Sequence, residues 1–165
     1  MWTTIRTFSA KRCKRYLDNS YRGLRGFGGL YCEDNVPLVE ESLSYEILNA
    51  SFEVHNRLGS GFPEAIYKKA LAIELRSRGR KVEVEKRVIV SYRDEMIGEY
   101  FLDIVVEGKV ILELKAVSEN LPVHKQQALA YVRATGLPLA LVINFGGESV
   151  TRARVANTRR KSEHK

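Results

Sequence analysis

The chain has 165 residues, 44% hydrophobic and 28% charged, which suits one globular domain with extensions and excludes a low-complexity chain. No run approaches 18 uninterrupted apolar residues, so no helical membrane span is expected. The formal charge of +7 sits at the ends: residues 1–30 carry a net +6 and residues 151–165 a net +5, which leaves −4 for residues 31–150. The basic pI therefore says little about the middle of the chain, although basic ends add salt-sensitive phosphate attraction.

Residues 1–40 form an atypical basic leader, Arg-rich, with Gly23, Gly26, Gly28 and Gly29 and no steady period. Three readings fit it: a segment of transit-peptide composition, a disordered leader, or sequence upstream of the native start. Its two cysteines, Cys13 and Cys32, make neither a disulfide framework nor a zinc site by themselves, so a reducing cytoplasm is the default location.

Ser44 is a candidate N-cap for a helix running to Leu58, with Ile47, Leu48, Ser51, Phe52, His55 and Leu58 on one face and Gly59 as the stop. Pro63 opens a second helix that carries Glu64, Tyr67, Leu71 and Leu75 to about Arg78, with Gly79 beyond it. Val82, Val84, Val88 and Val90 then alternate with Glu83, Glu85 and Arg87, the pattern of a half-buried strand, and Asp94-Glu95 marks a turn. Strands follow at Met96–Val106 and Val110–Ala116 around Glu107-Gly108, and their apolar content predicts cover on both faces. Pro122 begins a third helix that Gly136 closes. Leu139–Phe145 reads as a central strand and Val150–Val155 as an edge strand. The order helix, helix, three strands, helix, two strands predicts an α/β fold with a mixed central β-sheet flanked by helices. The expected domain spans 41–150, with 151–165 as a basic tail.

Three charged residues interrupt the apolar hairpin: Asp103, Glu113 and Lys115. Burial of an unpaired charge costs several kcal/mol, so each needs a partner. Glu113 and Lys115 are two apart and share a strand face. If Val106 pairs with Val110 across a three-residue loop, Asp103 lies opposite Glu113; a two-residue loop turns it to the other side. Facing carboxylates repel unless one is protonated or a cation lies between them. A hard divalent ion, Mg²⁺ with Mn²⁺ as a substitute, prefers such oxygen ligands together with a backbone carbonyl, water and phosphate. Lys115 beside it would orient water or offset developing negative charge. The same three residues would also arise as a plain ion pair on a half-exposed strand. His124, Gln127 and Tyr131 share a face of the third helix and could lie across the site. Glu64 could reach the ion from the side, with Tyr67 on its face. His55 on an apolar face is either a core residue or a ligand.

The run Gly61-x-x-Glu64-x-x-Tyr67 follows Glu53-Val54-His55. It is continued by Gly98-Glu99-Tyr100, Asp103, Leu112 to Val117, His124, Gln127, Tyr131 and Ala134-Thr135-Gly136, up to Asn144-Phe145-Gly146. Over roughly residues 43–150 this resembles the GxxExxY proteins of the PD-(D/E)xK nuclease superfamily. The resemblance implies a restriction-endonuclease-like core. Asp103 and Glu113 would be metal-binding acids, with the Leu114 backbone and Glu64 completing the set, and Lys115 would be the catalytic lysine. Gln127 and Tyr131 match the QxxxY motif of RecB-type nucleases, and His55, His124 and Tyr67 would be auxiliary. The implied function is Mg²⁺-dependent hydrolysis of DNA phosphodiesters, with RNA left open as substrate. The alternative is a non-catalytic nucleic-acid-binding or protein-interaction module on the same fold. Oligomeric state is not legible.

Overall fold

A computed structural model describes residues 39–118 and 122–157. The chain divides into two units, Met1–Val36 and Pro37–Lys165, and every described residue belongs to the second. The predicted leader, apart from its last two residues, both cysteines and residues 158–165 lie outside the described residues.

Helices α1 (Glu41–Leu58) and α2 (Glu64–Ser77) precede strands β1 (Val82–Tyr92), β2 (Glu95–Val106) and β3 (Val110–Lys115). Helix α3 (Pro122–Thr135) and strands β4 (Leu139–Asn144) and β5 (Thr151–Ala156) complete the order. One five-stranded sheet runs β1-β2-β3-β4-β5. Its pairs are antiparallel except β3 with β4, which are parallel, as a crossover through α3 requires. Two cores flank it. On one face α1 and α2 cover Ile104, Val106, Leu112, Leu114, Leu141 and Ile143. On the other, α3 brings Ala128, Tyr131 and Val132 against Leu102, Val105, Ile111 and Val142. This is the predicted mixed α/β sheet, and Thr151–Ala156 is an integral edge strand of it, paired along its length with β4.

Several local expectations are corrected. Ser44 is not the N-cap of α1. The helix begins at Glu41, and the Ser44 hydroxyl donates back to the Glu40 carbonyl at 2.7 Å, a local bond that serine makes readily inside a helix. Pro63 is the N-cap of α2 rather than its first residue. The turn between β1 and β2 is Arg93-Asp94, both with positive φ, which matches the twist of the flanking strands. The valines of β1 do not share one face: Val82 and Val84 pack on the α1–α2 side, but Val88 packs on the α3 side. Between them Glu85 takes a left-handed φ of 53°, which rotates the strand. Cover on both faces of β2 holds only for its inner half. Ile97 and Phe101 are 65% and 57% exposed, because the outer half of β2 pairs with β1 alone.

Candidate active site

Loop length decides the geometry. Val106 pairs with Val110, Val105 with Ile111 and Ile104 with Leu112, so residues 107–109 form the three-residue loop. The same register continued one step would set Asp103 opposite Glu113. Formal pairing stops at Ile104 because the Asp103 side chain enters the ladder: its Oδ2 accepts the Leu114 N–H at 2.9 Å. The other oxygen, Oδ1, accepts from Lys68 Nζ at 3.3 Å.

Glu113 is nearly inaccessible, with a side chain 4% exposed, and its Oε1 accepts from Lys115 Nζ at 2.6 Å. Lys115 Nζ also lies 3.8 Å from Glu64 Oε2. Glu64 begins α2, whose first turn favours an acid through the helix dipole, so the helix end brings a third carboxylate to the end of β3. Burial pushes the Glu113 carboxyl above its usual range; Lys115 opposes the rise, while Asp103 and Glu64 add to it. Burial likewise raises Glu64, against the pull of Lys115. For Lys115, burial alone would lower the ammonium's pKa, but its hydrogen bond to Glu113 and the charges of Glu113, Glu64 and Asp103 hold it above the ordinary lysine value.

On the α3 side, Gln127 Nε2 donates to Tyr131 Oη at 2.6 Å, and the Tyr131 ring meets Tyr100 edge-on at 5.1 Å. Burial raises the Tyr131 phenol, and the charges of Glu113, Asp103 and Lys115 all reach it. His124 is lowered by burial and by Lys115. Thus Asp103, Glu113, Lys115 and Glu64 gather at one end of β3, with Tyr131, Gln127 and His124 beside them.

His55 and Tyr67 are engaged elsewhere. The His55 ring shares a hydrogen bond between Nε2 and the Gly147 carbonyl at 3.1 Å and stacks on Phe145. The fully buried Tyr67 stacks on Phe145 at 4.6 Å between ring centres. Its hydroxyl donates to the Gly59 carbonyl at 2.7 Å. Both residues lock the α1–α2 loop onto the segment after β4. Leu114 buries its side chain in the α1–α2 core, and its backbone N–H serves Asp103.

Two participants escaped the sequence reading. Lys68 lies one helical turn beyond Glu64, a spacing that could have flagged it. The buried Asn144 closes the end of β3: its Oδ1 accepts from Val117 N and Gly146 N, each at 3.0 Å, and its Nδ2 donates to Val117 O at 2.8 Å. A polar residue ending an apolar strand was the available signal.

Among the described residues, no three His, Cys, Asp or Glu side chains already stand close enough together to hold a metal ion. Lys115 instead bridges Glu113 and Glu64, and Lys68 bridges Asp103 and Glu85. The donor set nevertheless fits a hard cation: the carboxylates of Asp103, Glu113 and Glu64 are oxygen ligands of the kind such an ion prefers. No helix among the described residues is long and apolar enough to cross a membrane.

A search of curated proteins found no match. A solved structure, titled as the crystal structure of SSO0001, aligns with a TM-score of 0.47 at 14% identity over 74% of this chain, and this chain spans 62% of that one. The family model of the PD-(D/E)XK nuclease superfamily matches residues 41–156. That span takes in every helix and strand described above and each carboxylate of the cluster, and the chain belongs to the PD-(D/E)XK nuclease superfamily.

Proposed function

We propose that the chain is a metal-dependent nuclease that hydrolyses DNA phosphodiester bonds, with Mg²⁺ as its cofactor and Mn²⁺ as a substitute. The observation that carries this reading is the buried Glu113–Lys115 pair beside Asp103 and Glu64 at one end of β3. A nearly buried carboxylate held beside two others is costly in a purely structural role, and it suits a site that takes up a cation.

Asp103, Glu113 and Glu64 would hold the ion. Such an ion would supply Lewis-acid charge against the phosphodiester and help activate the attacking water. Glu113 keeps the Lys115 ammonium aimed at the cluster, where it can orient a water or neutralise charge developing on the phosphate. The Leu114 N–H fixes one oxygen of Asp103 and leaves the other facing the cluster. Tyr131 and Gln127, hydrogen-bonded to each other, would offer a phenol and an amide to a substrate phosphate. The motif Gly61, Glu64, Tyr67 supports assignment to the GxxExxY proteins and divides its labour: Glu64 reaches the cluster, while Tyr67 holds the loop that starts α2. Gln127 and Tyr131 support the likeness to RecB-type nucleases.

The purified protein should cut DNA in Mg²⁺ or Mn²⁺ and stop in EDTA, and Lys115→Ala should abolish cutting. Equal activity in wild type and Lys115→Ala would mark it as contamination. That result would favour a non-catalytic module on the same fold.

A further inference from the structure

Lys68 has no place in the roles above, yet it is the cation that sits on Asp103. Its Nζ lies 3.3 Å from Asp103 Oδ1 and 3.0 Å from Glu85 Oε1. The Leu114 N–H already engages Oδ2, so Lys68 occupies the remaining oxygen, the one an incoming cation needs. We propose that Lys68 is a resident counter-cation of Asp103 that withdraws to Glu85 when a divalent ion enters the cluster. The inference rests on the reading of Asp103 and Glu113 as ligands.

Charge balance supports it. Asp103, Glu113 and Glu64 against Lys68 and Lys115 leave a net −1. A divalent ion would overshoot this to +1. With Glu85 counted as a partner of Lys68, four carboxylates, two ammoniums and one divalent ion sum to zero. An ammonium within a few ångströms of a doubly charged ion is repelled by roughly ten times the thermal energy, even at an effective dielectric constant of about 20. Lys68 already shares its ammonium between Asp103 and Glu85, so its flexible four-carbon stem lets it leave the cluster, whereas both acids beside Lys115 belong to the cluster.

Geometry supplies the destination. The register of β1 on β2 sets Val84 opposite Ile104 and Lys86 opposite Leu102, on either side of Glu85 and Asp103, and both acids contact Lys68. Glu85 is held in a left-handed conformation that a non-glycine residue adopts only at a cost. Its side chain is 65% exposed, against 14% for Asp103. Glu85 thus offers Lys68 a solvated partner one short swing from the buried one. Helix α2 delivers both Glu64 and, four residues on, Lys68 to the same cluster.

The test is calorimetric titration of MnCl₂ into EDTA-stripped full-length protein without substrate, at low salt. Lys68→Met should bind Mn²⁺ more tightly than wild type, by about tenfold. A purely structural lysine predicts the opposite sign, because its loss would loosen Asp103. Glu85→Gln removes the place of retreat and should weaken binding about threefold, with a smaller effect in the Lys68→Met background. Unchanged or weaker binding by a folded Lys68→Met overturns the inference, and the ligand reading survives if Asp103→Asn still abolishes binding. Binding by neither wild type nor Lys68→Met overturns both. If Lys68→Met does not fold, Glu85→Gln decides: weaker binding supports the inference, and unchanged or tighter binding overturns it.

Discussion

Replacing Asn144 with alanine tests how the end of β3 is held. Asn144 makes three hydrogen bonds to main-chain groups of Val117 and Gly146, between 2.8 and 3.0 Å, and is 2% exposed. A net hydrogen bond contributes about 1 kcal/mol, and a buried group left unsatisfied costs about 1–3 kcal/mol. The Val117 and Gly146 groups lie at the margin of the core, where water can replace part of the loss. Asn144→Ala should therefore destabilise by about 2–4 kcal/mol. For a domain of this size that lowers Tm by roughly 5–15 °C. Urea denaturation followed by circular dichroism measures it, and m should stay constant if the unfolded state is unaffected. Because Asn144 pairs with Lys115 across β3 and β4, DNA cleavage should fall as well, under conditions where the variant is still folded. A loss below about 0.5 kcal/mol, within the range of an ordinary surface substitution, would refute the idea that this side chain clamps the strand end.

Gly146→Ala tests the same clamp by steric means: the added Cβ would lie 2.3 Å from the Val117 carbonyl oxygen, so a destabilisation of about 1–3 kcal/mol is expected in the same urea assay. Tyr67→Phe removes the hydroxyl that bonds Gly59 and should cost about 1 kcal/mol, with DNA cleavage largely kept, since Tyr67 lies outside the carboxylate cluster. Glu113 and Glu64 both have folded pKa values raised by burial, so over that range the folded chain binds more protons than the unfolded one. Stability in EDTA should therefore rise as pH falls from neutral towards about 4.3, and Glu113→Gln should flatten that rise.

The helices and strands were legible because their periodic apolar residues coincide with the two cores. The hairpin register was not, since it turns on whether residues 107–109 or only two of them form the loop. Glu107, in a left-handed conformation at φ 53°, belongs to that turn without being a glycine. The reversal of faces at Glu85 was equally hidden, because an alternating pattern carries no sign of a rotated residue within it. Asp103, Glu113 and Lys115 stood out as charges in apolar strands, and the structure gives each a partner. Lys68 did not, because a lysine on a helix is ordinary until the strand beneath it presents an acid. His55 looked like a site residue as a lone histidine on an apolar helix face, and Tyr67 because it shares a helix face with Glu64. The α1–α2 loop instead directs them to Phe145 and Gly147.

The most direct measurement is a crystal of the protein soaked in MnCl₂ and read by anomalous scattering. One peak is expected within coordination distance of Asp103 and Glu113 oxygens, with Lys115 still beside it. Density for both carboxylates with no peak between them at saturating Mn²⁺, or a peak bound only by other residues, would contradict the proposed site.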